Sequence, residues 1–268
     1  MAIINNPELQ ILFQNLIDVA FNGAIAGQFF DLTVGTDVVE LDAGTTAQNP
    51  GGVRALDSAD FVTGSNSTDI INGNTGSDFL VGNDGNDYLR GGQDNDFISG
   101  ITGRNIINGN RGNDSFLNGG VGEDLIRGGQ DNDTLLGNEG NDYLIGDFGS
   151  DNLTGGFGAD TFVLRVEASN GSDSALADAI FDFNLAEGDR IVIAGNIFAE
   201  DVSLSIEPVA SLSTPEASVP GENVPIAGVL RQISTGVALG VIVGVTDVNQ
   251  VLGGLELTGA DDPILAIG

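Results

Sequence analysis

The chain has no cysteine, no histidine and no lysine, and its 8 basic residues are all arginine. Without cysteine there is no disulfide framework and no thiolate site for zinc or an iron–sulfur cluster. Without histidine, the HExxH zinc helix and the Ser-His or Cys-His hydrolytic couples are excluded. Basic side chains are so few against 39 acidic ones that the net charge is -31, which disfavours nucleic acid and anionic membrane as partners. The first basic residue is Arg54, so no basic start introduces a signal peptide, and no apolar run reaches the roughly 18 residues of a membrane helix. The expectation is no transmembrane segment, and export, if any, by another signal.

What remains is substantial. Apolar residues make up 41% of 268, enough for a real core. A carboxylate surplus beside 41 glycines in so apolar a chain points to a defined backbone neutralised by bound cations.

Four segments are expected. Residues 1–30 contain an amphipathic helix over 7–22, with Leu9, Leu12, Phe13, Leu16 and Ile17 on one face, Asn6 as N-cap and Pro7 in the first turn. Residues 31–63 read as lead-in strands and a loop. Residues 64–163 are a repeat array, and residues 164–268 a β-rich cap with a hairpin turning near Gly236.

The array consists of eleven nonapeptides, from GSNSTDIIN at Gly64 to GGFGADTFV ending at Val163, with one extra residue in GNRGNDSFLN, placed near Asn118. Glycine opens every unit. Counting each unit from its first residue, the eighth place holds Ile71, Leu80, Leu89, Ile98, Ile107, Phe116, Ile126, Leu135, Leu144, Leu153 and Phe162. A six-residue GGxGxD loop before a three-residue strand with one inward side chain makes two units per coil, stacked about 4.8 Å apart into a prism roughly 25 Å long.

The sixth place holds Asp69, Asp78, Asp87, Asp96, Asn105, Asp114, Asp124, Asp133, Asp142, Asp151 and Asp160. The first-place glycines Gly73, Gly82, Gly91, Gly109, Gly119, Gly128, Gly137, Gly146 and Gly155 and the fourth-place glycines Gly76, Gly85, Gly112, Gly122, Gly140, Gly149 and Gly158 are expected to supply loop carbonyls. Left-handed turns at the first, second and fourth places would direct those carbonyls at one point, where the aspartate adds a carboxylate; these are hard oxygen ligands suited to calcium.

The array resembles the RTX (repeats-in-toxin) family over about 100 residues, whose GGxGxDxUx unit binds calcium in a parallel β-roll. The resemblance implies an all-β fold, a parallel β-solenoid with a β-rich C-terminal cap and a short N-terminal helix. It implies ions between loops two units apart, shared by Asp69 and Asp87, Asp78 and Asp96, Asp96 and Asp114, Asp124 and Asp142, Asp133 and Asp151, and Asp142 and Asp160. Asn105 weakens two sites and the extra residue puts the Asp114–Asp133 pairing in doubt, leaving about six to eight ions. Asp178, Asp182, Phe183, Asp189 and Ile191 match the segment that closes such arrays in bacterial, notably cyanobacterial, exoproteins. Type I export by an uncleaved C-terminal signal, and folding on meeting calcium outside the cell, are further implications.

Only about 63 residues precede the array, too few for a typical catalytic domain, so no enzyme activity is expected. The seventh places of alternate units, Ile70, Tyr88, Ile106, Leu125 and Tyr143, form an apolar row flanked by Arg90 and Arg127. Either a partner docks there, or the N-terminal helix or C-terminal hairpin covers it. The reading is an extracellular or cell-surface structural protein that self-associates into a layer, sheath or filament. The alternative is an accessory module that binds cell-surface polysaccharide through calcium.

Overall fold

The computed structural model describes residues 29–48, 52–165, 177–195, 201–208, 226–245 and 247–258. The helix expected over 7–22 lies outside them. Among the described residues no helix is long and apolar enough to cross a membrane.

Four short strands lead in: β1 (Phe30–Asp31), β2 (Val38–Glu40), β3 (Val53–Arg54) and β4 (Phe61–Thr63). The repeats supply β5 (Ile70–Thr75), β6 (Phe79–Asp84), β7 (Tyr88–Gln93), β8 (Phe97–Thr102), β9 (Ile106–Arg111), β10 (Phe116–Val121), β11 (Leu125–Gln130), β12 (Thr134–Glu139), β13 (Tyr143–Phe148), β14 (Asn152–Phe157) and β15 (Thr161–Arg165). The closing segment adds β16 (Ala179–Ile180), β17 (Arg190–Ala194), β18 (Val202–Pro208), β19 (Ile226–Gln232), β20 (Ala238–Val243) and β21 (Leu255–Thr258). Two four-residue helices, α1 (Thr45–Gln48) and α2 (Asn249–Leu252), complete the elements among the described residues.

Odd strands from β1 to β17, then β21, form one ten-stranded sheet; even strands from β2 to β16, then β20, β19 and β18, form the other, eleven-stranded one. Successive units thus alternate between two facing parallel sheets, the two-units-per-coil winding of a β-solenoid, in about six turns over the repeats. Pairing is parallel except at the end, where β18, β19 and β20 are antiparallel and β19 and β20 form the hairpin expected near Gly236.

The repeat strands β5 to β14 are six residues long, not three. Pairing of β5 with β7 runs Ile70↔Tyr88, Ile71↔Leu89 and Asn72↔Arg90, skips the first-place glycine, and resumes at Asn74↔Gly92 and Thr75↔Gln93. Each strand therefore bends around a glycine and continues into the next unit's loop.

The eighth-place side chains fill the interior, from Val62 through Ile71, Leu80 and Leu89 to Phe162 and Ile191, each fully buried. One member differs from the sequence reading. Leu117, not Phe116, occupies the core and pairs with Ile98 and Leu135. The inserted residue is Ser115, exposed between Asp114 and Phe116, rather than a bulge near Asn118. Placing it at a solvated corner leaves the loop before it and the strand after it in register.

Of the two alternatives for the seventh-place row, an exposed docking stripe or a covered one, the chain shows a covered one. Ile70, Tyr88, Ile106, Leu125 and Tyr143, read as a stripe that could meet a partner, are buried at 1–8% exposure. They cluster with Ile145, Val163, Val192 and Ala194. A row this apolar gains about 25 cal/mol per Å² by leaving water, so it is spent on the chain's own stability. The aromatic row at the surface lies on the even sheet: Phe61, Phe79, Phe97 and Phe116 stack ring on ring at 4.4, 4.3 and 4.2 Å.

Candidate metal centre

From the second unit onward, each corner of the coil turns through left-handed residues at the second and fourth places. Asn74, Asn83, Asn110 and Asn138 sit at φ +72°, +69°, +77° and +78° in the second place, a conformation asparagine tolerates better than most side chains. Asp94 and Asp131 take φ +74° and +78° in the fourth place, exposed, as turn residues. The first-place glycines, expected to be left-handed as well, are not. They are glycine because the space is taken: a Cβ on Gly73 would lie 2.6 Å from the Gly91 carbonyl oxygen and closer still to Oδ2 of Asp78. The same crowding by a carboxylate and by the carbonyl of the next coil recurs at Gly64, Gly109 and Gly137.

The sixth-place side chains are buried, Asp87, Asp114, Asp142 and Asp160 completely. Their two oxygens have different partners. Oδ1 reaches back one coil to accept the main-chain N–H of the preceding sixth-place residue: Asp87 from Asp69 at 2.8 Å, Asp96 from Asp78 at 2.8 Å, Asp114 from Asp96 at 2.7 Å, Asp142 from Asp124 at 2.8 Å and Asp160 from Asp142 at 2.9 Å. Asp114 and Asp133 are joined in the same way at 2.9 Å, so the hydrogen-bond ladder continues across the extra residue.

Oδ2 is left unsatisfied along the array. In Asp78, Asp87, Asp96, Asp114, Asp124, Asp133, Asp142, Asp151 and Asp160 it is buried and accepts no hydrogen bond. Burial therefore pushes these carboxyls up, to about 6 for Asp160, about 7 for Asp78, Asp87, Asp114, Asp124 and Asp151, about 8 for Asp96 and Asp142, and about 9 for Asp133. The ladder hydrogen bonds oppose that rise without cancelling it. At Asp69 the Oδ2 atom has partners: Ser65 donates its N–H at 2.6 Å and its hydroxyl at 2.9 Å to it.

Asn105 keeps the ladder and changes the other atom. Its Oδ1 accepts from Asp87 N–H at 3.0 Å, while its amide Nδ2 donates to Gly119 O at 3.2 Å and Gly103 O at 3.4 Å. Where its neighbours hold an unsatisfied carboxylate oxygen, this rung holds a donor already matched to carbonyls.

The ladders run past the array at both ends, which the nonapeptide register alone does not reveal. Asp60 Oδ1 accepts from Asp37 N–H at 2.7 Å, Asp78 Oδ1 accepts from Asp60 N–H at 2.8 Å, and Asp60 Oδ2 is buried without a partner. The signal was present in ALDSADFVT, residues 55–63, with Asp60 and Val62 in the sixth and eighth places and glycine missing. Its Leu56 and Ser58 adopt φ +79° and +81° in place of permissive residues. At the far end Asp178 and Asp189 accept from Asp151 and Asp160 N–H at 3.1 and 2.9 Å, and Asp182 binds Gly155 and Gly156 N–H at 2.9 and 2.7 Å. The acidic residues that matched the closing segment are thus the last rungs. A fifth-place ladder was also missed: Asn86, Asn95, Asn113, Asn132 and Asn141 accept N–H groups from the following coil at 2.8–3.1 Å.

The donor set fits a hard cation. Buried carboxylate oxygens without hydrogen bonds lie beside main-chain carbonyls, and no sulfur or nitrogen ligand is present, which is calcium chemistry. Among the described residues no three acidic side chains gather at one point, so main-chain oxygens would complete the coordination.

The RTX calcium-binding nonapeptide repeat matches the chain in four copies, over residues 63–98, 99–135, 115–144 and 127–162. No curated protein matches the chain. Among solved structures it is similar to the AlgE6R3 subunit of the Azotobacter vinelandii mannuronan C5-epimerase, at 19% identity and TM-score 0.26, covering 74% of this chain and 78% of that one. It is also similar to the extracellular lipase LipA from Serratia marcescens, at 18% identity and TM-score 0.25, covering 75% of this chain but 40% of the lipase. Residues 63–162 are accordingly RTX calcium-binding nonapeptide repeats, wound into a parallel β-roll.

Proposed function

We propose that the protein is a secreted, non-enzymatic structural component whose roll folds when calcium fills the loops outside the cell, and that it self-associates into a surface layer, sheath or filament. The observation that carries the calcium part is the row of buried, unpartnered Oδ2 atoms. Ionised and empty, these carboxylates oppose folding; loaded with about six to eight ions, with the sixth-place aspartates as ligands, they hold the coils together. Low cytosolic calcium would keep the chain unfolded until export by the type I route that its resemblance implies.

Support for self-association comes from the even-sheet face, where Phe61 is 40% exposed at the end of the Phe61–Phe79–Phe97–Phe116 stack. Exposed apolar rows of this kind favour contact with a partner surface. Electron microscopy of the purified protein before and after calcium addition tests the reading. Ordered assemblies that appear with calcium are expected; monodisperse monomers throughout would refute the assembly.

A further inference from the structure

The outer face of the odd sheet carries a polar cleft that the calcium loops do not explain. Its volume is about 480 Å³, and its lining includes Asn72, Asn74, Arg90, Gln93, Asn110 and Arg111. A smaller cleft of about 150 Å³ shares Asn110 and Gln130 with it and adds Asn108, Arg127, Asp147 and Phe148. These residues come from the ninth, second and third places of aligned units on β5, β7, β9, β11 and β13, so the two clefts form one groove along five coils, about 19 Å at the sheet spacing.

Its electrostatics are unusual for this chain. Despite 39 acidic residues, Arg90 and Arg111 pair with no carboxylate among the described residues, whereas Arg54, Arg104, Arg127, Arg165 and Arg190 each do. Arg90 donates through Nη2 to Asn110 Oδ1 at 3.1 Å, but its Nε is buried without an acceptor. Arg127 is held by Asp147, which also takes Arg165 at 2.6 Å, and the Nη1 of Arg127 is likewise buried and unmatched. The one acid of the groove is therefore neutralised twice, and buried guanidinium donors remain open.

From this groove we infer a binding site for a carboxylated polysaccharide, a polyuronate-type chain lying along the coil stack. A guanidinium fork matches a carboxylate in two parallel hydrogen bonds. Side-chain amides both donate and accept, as a row of sugar hydroxyls requires. The amides and arginines recur from coil to coil, so the ligand that uses them all is a repeating one. The inference rests on the calcium-stabilised roll but not on self-assembly, and it places recognition on arginines and amides rather than on bound calcium.

The test uses the calcium-loaded full chain and a fluorescently labelled galacturonic acid hexamer, too short to gel. Comparators are the fully methyl-esterified hexamer and poly-aspartate, and the variants are Arg111→Gln and the double variant Arg90→Gln/Arg111→Gln. Binding by the wild-type protein is expected, with loss of binding to the ester and at least about tenfold weakening in the double variant. Absence of hexamer binding, a smaller loss in the double variant, or tighter binding of poly-aspartate overturns the site. Unchanged affinity in the variants would mean bridging through calcium and overturns it too. Far-UV circular dichroism and calcium stoichiometry of the variants separate a failed groove from a failed roll. Should the double variant fold poorly, Arg111→Gln, at an exposed position, decides alone.

Discussion

Asn105 accepts the N–H of Asp87 at 3.0 Å through the same Oδ1 position that aspartate uses at the other rungs from Asp78 to Asp160, while its Nδ2 faces Gly119 O at 3.2 Å. The side chain thus preserves the stacking bond and removes the spare oxygen. Asn105→Asp should restore it. Equilibrium dialysis is expected to show at least one more calcium per chain and a higher melting temperature in calcium. An unchanged stoichiometry would mean that the amide is not what limits this rung.

The converse substitution separates the two jobs of a rung. Asp133→Asn retains an Oδ1 for the Asp114 N–H but replaces an oxygen that is buried without a partner. Calcium affinity and the melting temperature in calcium are expected to fall. In chelator the same variant should be more stable than wild type, because it no longer buries an ionisable group. Paired melting curves with and without EDTA read both signs.

Proton linkage gives the metal-free roll an inverted pH profile. The folded-state values of Asp96 and Asp142, about 8, and of Asp133, about 9, lie above the ordinary 3.8. A group raised on folding contributes stability that is full below its unfolded value and lost as pH climbs through its folded one. In EDTA, β-structure should therefore be favoured at pH 5 and lost toward pH 9. In calcium the trend reverses, since protons compete with the cation for the same oxygens. Circular dichroism across pH in both buffers checks this, and a flat profile in EDTA would contradict it.

Register around the insertion is tested at two adjacent positions. Leu117 is fully buried between Ile98 and Leu135, so Leu117→Ala should cost about 2–5 kcal/mol. Phe116 is half-buried and stacked on Phe97 alone, so Phe116→Ala should cost less, about 1 kcal/mol from the lost ring pair plus a modest burial term. Denaturant melts in calcium rank the two, and the reverse order would put the extra residue after Phe116.

The solenoid, its two-unit coil and the sixth-place row of aspartates were legible because the sequence repeats them; the hydrogen bonds that join those aspartates from coil to coil were not. One glycine, one aspartate and one apolar side chain at fixed spacing leave few other ways to bury the apolar residue and turn the chain. What was not legible depended on breaks in that spacing. Ser115 could be located only once pairing was known, since Phe116 and Leu117 are both apolar and either could have pointed inward. Asp60 was hidden because Ala55 replaces the glycine that marks a unit. The apolar row from Ile70 to Tyr143 shows the limit of periodicity: alternation in a strand tells which residues leave the interior, not whether another part of the chain covers them. The Phe61–Phe116 stack was missed because Phe61 lies in the unit without glycine and Phe116 aligns with Phe97 only after the insertion is placed.

The direction in which the carboxylates reach gives the stack a polarity. Every sixth-place N–H is capped by a side chain from the coil that follows it in sequence, never by its own, so a coil exposed at the carboxyl end carries two bare donors. Asp178 and Asp189 cap the last pair, from Asp151 and Asp160, and both belong to the closing segment. That segment is therefore a finished template against which the preceding coil can close, and each closed coil in turn becomes the template for the one before it. Ordering is expected to zip from the carboxyl end toward the amino end, against the numbering of the chain.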